Sequence, residues 1–405
     1  MTVITSDNII SSLGFTTDEN YRNVKQGVSG LQPYTDRYDL PEPFMASEID
    51  GVRLDKAFAK VCVEYAGAIE NSDSSDDIKE ELYLKKKGRK YTKLEKACIV
   101  SIAEALKGTD IDPTGSDVLF ILSTTKGNIF LLDKNEKKGF KQEQLYLWRS
   151  AEIISVFFGG MYNSYVVSNA CISGASALIV AQRELLSRRY KHVIVTGVDM
   201  LSKFVIAGFQ SFKALSQAVC KPFDANRAGL NIGEAVATII LSERQAFECN
   251  RGEVEFTVGA IRNDANHISG PSRTGDGAFL ALRHILAGID PEEIAFVCAH
   301  GTATPYNDEM ESVALTRAGL KDVPVYSLKG YFGHTLGAAG VLESVIATHA
   351  LQEGMILKTY GCDTPGVTSP LDIVMENRIT TKRRCIKMLS GFGGCNTALL
   401  FTKLL

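Results

Sequence analysis

"VVSNACISGASALIV" (166–180) decides the fold. An apolar, β-branched run gives way to small residues and then to apolar residues at helical spacing. This reads as a strand turning sharply into a helix, with Cys171 at the turn. Backbone N–H groups without partners and the helix dipole favour negative charge at such a place. The dipole supplies about 0.3 to about 2 kcal/mol, against about 1.4 kcal/mol for one pKa unit. It draws a thiol down towards neutrality, while burial drives it up. On these residues alone Cys171 is either a packed thiol at a junction or a nucleophile. Ser173, Gly174, Ala175, Ser176 and Ala177 are all small, which lets another backbone or a subunit come close.

The same alternation runs outward in both directions. "DVLFILSTT" (117–125), "SYVVSNA" (164–170), "HVIVTGV" (192–198) and "AVATIILSE" (235–243) read as buried strands. "KLEKACIVSIAEALK" (93–107) and "GASALIVAQRELLSRR" (174–189) read as helices. Later, "EVEFTVGAI", "IAFVCAH", "VPVYSLK" and "RCIKMLSGF" repeat the strand pattern, with "GAFLALRHILAG" and "AAGVLESVIATHALQ" as helices. The class is α/β, with sheets covered by helices. "QAFECNRGE" (245–253) marks a seam between a longer first part and a shorter second.

With 405 residues the chain is long enough for two domains, or two halves of one. Hydrophobic residues at 45% and charged residues at 22% exclude a disordered chain. A net charge of -3 gives no bulk attraction to nucleic acid or anionic membrane. No apolar run approaches the roughly 18 residues of a membrane span, and "MTVITSDNII" lacks the features of a secretory signal. The expected location is cytoplasmic. Nine cysteines, scattered and never spaced C-x-x-C, argue against a disulfide framework or a zinc site. The segment "NSDSSDDIKEELYLKKKGRKYTKLEK" (71–96) is acidic first and basic after. It is either a solvated loop or a docking patch for an acidic partner.

Two histidines bear on Cys171. His300 follows a strand-like run in "FVCAHGTATPYNDEMES", and His334 lies in the glycine-rich turn of "VYSLKGYFGHTLGAAGVLES". Both end buried strands, where loops gather function. His192, His267, His284 and His349 have no such setting. A third glycine-rich corner, "SGFGGCNTAL" (390–399), lets backbone N–H groups approach a ligand.

Together these pieces resemble the β-ketoacyl-acyl-carrier-protein synthases, the elongating Cys-His-His branch of the condensing enzymes with the thiolase fold. The resemblance is carried by "NACISGASA", "KPFDANRAGLNIGEA" (221–235), "HGTATPYND" (300–308), "SLKGYFGHTLGAAGVLE" (327–343) and "GFGGCN" (391–396), in the family's order. It implies two related α/β halves, 1–248 with the nucleophile and 249–405 with both histidines, layered helix–sheet–helix–sheet–helix. Cys171 would take the acyl group from acyl-carrier protein, and the enolate from malonyl-carrier protein would then attack it. Backbone N–H groups of Cys171 and Phe392 would hold the tetrahedral oxyanion. His300 and His334, neutral, would stabilise the enolate. Lys329 would pair with Glu343 and order the site, Asp308 would support it, and Thr302 and Thr304 would bind the pantetheine arm. Phe392 would also gate the acyl pocket. Lys86, Arg89 and Lys90 would dock the carrier protein. No cofactor or metal is implied beyond the carrier's phosphopantetheine, and a homodimer is expected, or a complex with a heterologous synthase subunit.

The chain departs from the pattern at Ser390, where many members carry Phe, and at Ala235, where "GEA" replaces "GEG". Cys395 matches the region in which degradative thiolases keep a second cysteine. The lysine of "SLKG" and the "HGTATPYND" stretch belong to the synthases instead. A catalytically silent partner of the chain-length-factor kind is the rival reading, although such proteins usually lack the nucleophile. Fatty acid, polyene and other polyketide products all stay open.

Overall fold

The computed structural model describes residues 1–40, 42–65, 89–133, 137, 139–160, 163–245, 250 and 252–405. Ten strands form its main sheet: β1 (Thr2–Ser11), β2 (Val118–Ser123), β3 (Asn163–Val167), β4 (His192–Asp199), β5 (Ala235–Glu243), β6 (Val254–Asn263), β7 (Ile294–Cys298), β8 (Val325–Tyr326), β9 (Arg384–Gly391) and β10 (Cys395–Lys403). Their spatial order is β8-β7-β9-β10-β6-β1-β5-β4-β2-β3. Read from the centre outward, β1-β5-β4-β2-β3 is matched by β6-β10-β9-β7-β8. The second half therefore repeats the first with each strand advanced by five. The pairing senses match too: antiparallel, antiparallel, parallel, parallel in each half. The halves meet where Val3 pairs with Glu255.

Eight helices matter to the layers: α1 (Gly51–Glu64), α2 (Lys93–Leu106), α3 (Leu147–Phe157), α4 (Ser173–Leu186), α5 (Lys203–Ser211), α6 (Asp276–Ile285), α7 (Pro305–Arg317) and α8 (Ala339–Glu353). Strand residues alternate between two faces, and each face has its own core. Leu119, Ile121, Val193, Val195 and Ile239 face inward with Phe256, Leu389, Leu399 and Phe401 of the other half, around α4 and α8. Phe120, Leu122, Ile194 and Ile240 face outward onto α1, α2 and α3. Val297, Ile386, Met388 and Leu400 face outward onto α6 and α7. The result is the five-layer helix–sheet–helix–sheet–helix arrangement expected from the sequence.

Most expected elements form close to their expected bounds, helped by local signals such as the capping box of Thr92 and Glu95 that starts α2. "VPVYSLK" differs: only Val325–Tyr326 is strand, and a short helix follows at Lys329–Phe332. The backbone leaves the ladder there because the Ser327 N–H donates to the Thr359 hydroxyl at 3.3 Å and the Lys329 N–H to the Ser327 hydroxyl at 3.2 Å. Among the described residues, α1, α3, α5, α7 and β10 were not expected. The two central helices nearly touch. A Cβ on Gly340 would lie 2.2 Å from the Ala175 backbone nitrogen, and one on Gly174 would lie 2.8 Å from that of Val341. The small residues after Cys171 thus serve the approach of α8 of this same chain.

Candidate active site

The internal repeat explains why distant residues meet. Cys171 lies in the β3–α4 connection, and His334 lies in the equivalent β8–α8 connection. Since α4 and α8 pack side by side, their leading loops converge. His300 enters from the end of β7, and Phe392 from the end of β9.

Each loop is held in an unusual backbone state. Ala170, just before Cys171, has φ of 45°, a conformation few non-glycine residues adopt. Its turn is locked where Ser173 Oγ donates to the Ala170 carbonyl at 2.6 Å and accepts the Asn169 N–H at 2.7 Å. At His300, the N–H groups of His300 and Gly301 both donate to the buried carboxylate of Glu311, each at 2.7 Å. The His334 N–H donates to the Asn231 carbonyl at 2.6 Å, and the His334 carbonyl accepts the Gly233 N–H at 3.0 Å. The 221–235 motif is therefore the cradle of the His334 loop. A Cβ on Gly233 would lie 1.9 Å from the Phe332 carbonyl oxygen.

Cys171 Sγ and one ring nitrogen each of His300 and His334 lie within 4.8 Å of one another. The two rings are 5.0 Å apart and nearly perpendicular. His300 Nδ1 and both ring nitrogens of His334 have no protein partner. Burial, then the Lys329 ammonium, holds both imidazoles far below their ordinary pKa, so both are neutral. Burial likewise pushes the Cys171 thiol up to about 11, against the lowering by Lys126, Lys329 and the Phe392 N–H. Desolvation outweighs these lowering influences, and the resting sulfur is a thiol.

These groups line one cavity of about 410 Å³, together with Thr302, Thr304 and Ser390. Thr302 and Thr304 join hydroxyls at 2.8 Å. Phe392 is partly exposed and packs against Phe209 and Phe212, at 6.0 and 5.7 Å between ring centres. Ser390 donates to Asn396 Oδ1 at 2.7 Å, a polar pair in the cavity wall. Lys329 is fully buried and ion-paired with Glu343. Asp308, also buried, accepts the Phe223 N–H at 2.8 Å, and burial raises it to about 7. It fastens the 221–235 segment and does not face the cavity. Cys395 is half-buried beside Asn263 and does not line the cavity.

Lys86 lies outside the described residues. Arg89 and Lys90 line a different cavity, with Lys93, Lys96 and Phe140, and neither borders the one at Cys171. Among the described residues, the lysine that lines the Cys171 cavity is one the sequence did not single out, Lys213. Also missed were Lys126, Glu311, Asp199 and Lys387. Asp199 accepts from the hydroxyls of Thr124 and Thr125 and from the Gly337 N–H, joining the β2 and His334 loops. Its only sequence signal is a carboxylate at the end of an apolar strand.

Two family models cover most of the chain: "Beta-ketoacyl synthase, N-terminal domain" matches residues 2–246, and "Beta-ketoacyl synthase, C-terminal domain" matches residues 255–363. A putative mitochondrial 3-oxoacyl-[acyl-carrier-protein] synthase of Schizosaccharomyces pombe is 28% identical, over 100% of this chain and 99% of its own length. 3-Oxoacyl-[acyl-carrier-protein] synthase 2 of Staphylococcus aureus is 25% identical, over 99% and 98%. The fold is shared with the ishigamide ketosynthase/chain length factor (TM-score 0.82, 22% identity, 100% of this chain and 99% of that one). It is also shared with the ketosynthase ApeO in complex with its chain length factor ApeC from Xenorhabdus doucetiae (TM-score 0.81, 23% identity, 99% and 98%).

Proposed function

We infer, from the premise that this chain belongs to the β-ketoacyl synthase family, that Cys171, His300 and His334 are its working groups. The enzyme is an acyltransferase of the condensing kind, a 3-oxoacyl-[acyl-carrier-protein] synthase. The observation that carries the assignment is the convergence of one sulfur and two unpartnered, neutral imidazoles at the floor of a single cavity.

In the first half-reaction Cys171 sulfur attacks the acyl thioester. The carrier's thiol leaves with the proton, and the acyl group stays on Cys171. The Phe392 N–H, already directed at the sulfur, is placed to stabilise the oxyanion together with the Cys171 N–H. In the second, a malonyl thioester loses carbon dioxide and its carbon attacks the acyl carbonyl. Cys171 is expelled and regains a proton. The negative charge on the enolate oxygen is met by N–H donors of His300 and His334. Neutral imidazoles suit this, since each retains one N–H. Thr302 and Thr304 are placed for the pantetheine arm, and Phe392 for gating. The scheme needs no metal or nucleotide, because loss of carbon dioxide drives bond formation.

The partner surface we assign is the outer edge of β3, at one end of the sheet order. Such an edge offers unpaired backbone groups to a second chain. Exposed Tyr146 and Trp148, stacked at 6.1 Å, lie at the start of α3, which packs beside β3. A second copy of this chain, or a related synthase subunit, fits there.

Mass spectrometry after incubation with acyl-carrier protein tests the main reading. An acyl adduct on Cys171, absent in Cys171→Ala, is expected. No adduct from any acyl donor would instead favour a silent partner subunit. For docking, Lys86→Glu with Arg89→Glu should weaken carrier-dependent turnover much more than turnover of small thioesters, through slower encounter. An equal drop for both substrates sinks that assignment.

A further inference from the structure

Lys387 sits within β9 among apolar neighbours and is fully buried. An ammonium withdrawn from water is costly unless it is paired and hydrogen-bonded. Here its nitrogen has four oxygen neighbours. It donates to the carbonyls of Cys298 at 3.1 Å, Ala299 at 3.0 Å and Met388 at 2.7 Å, and Glu343 Oε2 lies 2.7 Å away. The other oxygen of Glu343 holds Lys329. One carboxylate is thus shared by two buried ammonium groups.

The oxygens of this cage come from three segments. Cys298 and Ala299 lead directly into His300, and Met388 leads into Ser390 and Phe392. Glu343 on α8 reaches Lys329, five residues before His334. We propose that Lys387 is a positioning residue for condensation, a built-in cation on β9 that holds the His300 and Lys329 segments in one register. The proposal rests on the reading of Cys171, His300 and His334 given above.

A second consequence is electrostatic. The charged and titratable groups around the two imidazoles are Lys329, Lys387, Lys126, Glu311, Glu343, Asp199 and Cys171. Lys387 opposes protonation of both rings. It is itself kept charged, since the Glu343 carboxylate beside it, with Glu311, outweighs its desolvation. Removing it leaves two carboxylates behind the rings, with Lys329 as the one cation touching Glu343. The rings then protonate at higher pH, and the acid limb of decarboxylation moves upward.

The test compares wild type with Lys387→Met, which keeps most of the unbranched chain and removes the charge. Both half-reactions are followed separately across pH. Cys171 acylation should stay within about threefold, while malonyl decarboxylation falls at least about tenfold and its acid limb shifts to higher pH. Lys387→Met matching wild type in rate and pH profile overturns the proposal, as does an equal fall in both half-reactions. Should Lys387→Met fail to fold, Lys387→Gln, which keeps N–H donors, is measured in the same way. Failure of both to fold makes the lysine a folding requirement and overturns the positioning role. Wild-type protein that takes no acyl group on Cys171 overturns the underlying reading instead, so the two failures are distinct.

Discussion

His334→Ala is expected to retain acyl transfer to Cys171 while losing malonyl decarboxylation by about 10²–10³-fold, the usual cost of deleting one oxyanion donor. The division follows from geometry. The Cys171 sulfur already has the Phe392 N–H beside it, so the acyl-transfer oxyanion has donors that do not involve His334. His334 has both ring nitrogens without a protein partner although it is almost fully buried. A buried polar group left so is costly unless a ligand completes it. Its N–H is therefore available for a charge that develops during reaction. The enolate oxygen of the malonyl unit is the charge that the first half-reaction lacks. Measuring carbon dioxide release and Cys171 acylation separately decides the matter. Equal loss of both would place His334 in acylation too and end this division of labour.

Gly340→Ala is expected to cost the protein its fold, or to lower its melting temperature sharply. The added methyl would stand 2.2 Å from the Ala175 nitrogen and 2.8 Å from the Gly174 carbonyl carbon. Both are backbone atoms of the facing helix, so no side chain can rotate away. Overpacking of a well-filled core costs typically about 1–3 kcal/mol, occasionally more, and here the only relief is to part α4 from α8. Those helices carry the loops of Cys171 and His334, so any folded Gly340→Ala should also lose condensation. Gly208, in α5, has nothing within 4 Å of its missing Cβ. Gly208→Ala should leave stability unchanged, or raise it by up to about 1 kcal/mol through helix propensity. Thermal melts of the two variants check this, and equal melting temperatures would show that the helices yield freely.

Much of the site was legible because its residues sit at punctuation. Cys171 ends an apolar strand before a run of small residues, and His300 and His334 stand where strands give way to glycine-rich turns. Such signals are local and survive in a linear reading. Lys387 carries no such mark, since a lysine in "RCIKMLSGF" reads as the exposed side of a strand. Its burial depends on carbonyls and a carboxylate drawn from other segments. Lys213, which lines the cavity, follows a short helix with nothing in its neighbours to single it out. Docking was placed on the densest run of basic residues; Arg89 and Lys90 border a cavity other than that of Cys171, and the Lys86→Glu with Arg89→Glu comparison decides whether they receive the carrier.

By itself the sequence determined the α/β class and the places of Cys171, His300 and His334 at strand ends, because periodicity and turn chemistry act over a few neighbouring positions, and its motifs carried the resemblance to the family. Only the tertiary structure decided the protonation of Cys171, the shared carboxylate of Glu343 and the strand order that the two halves have in common. Desolvation and charge pairing sum over every group that folding brings near, and those groups come from separate segments of the chain.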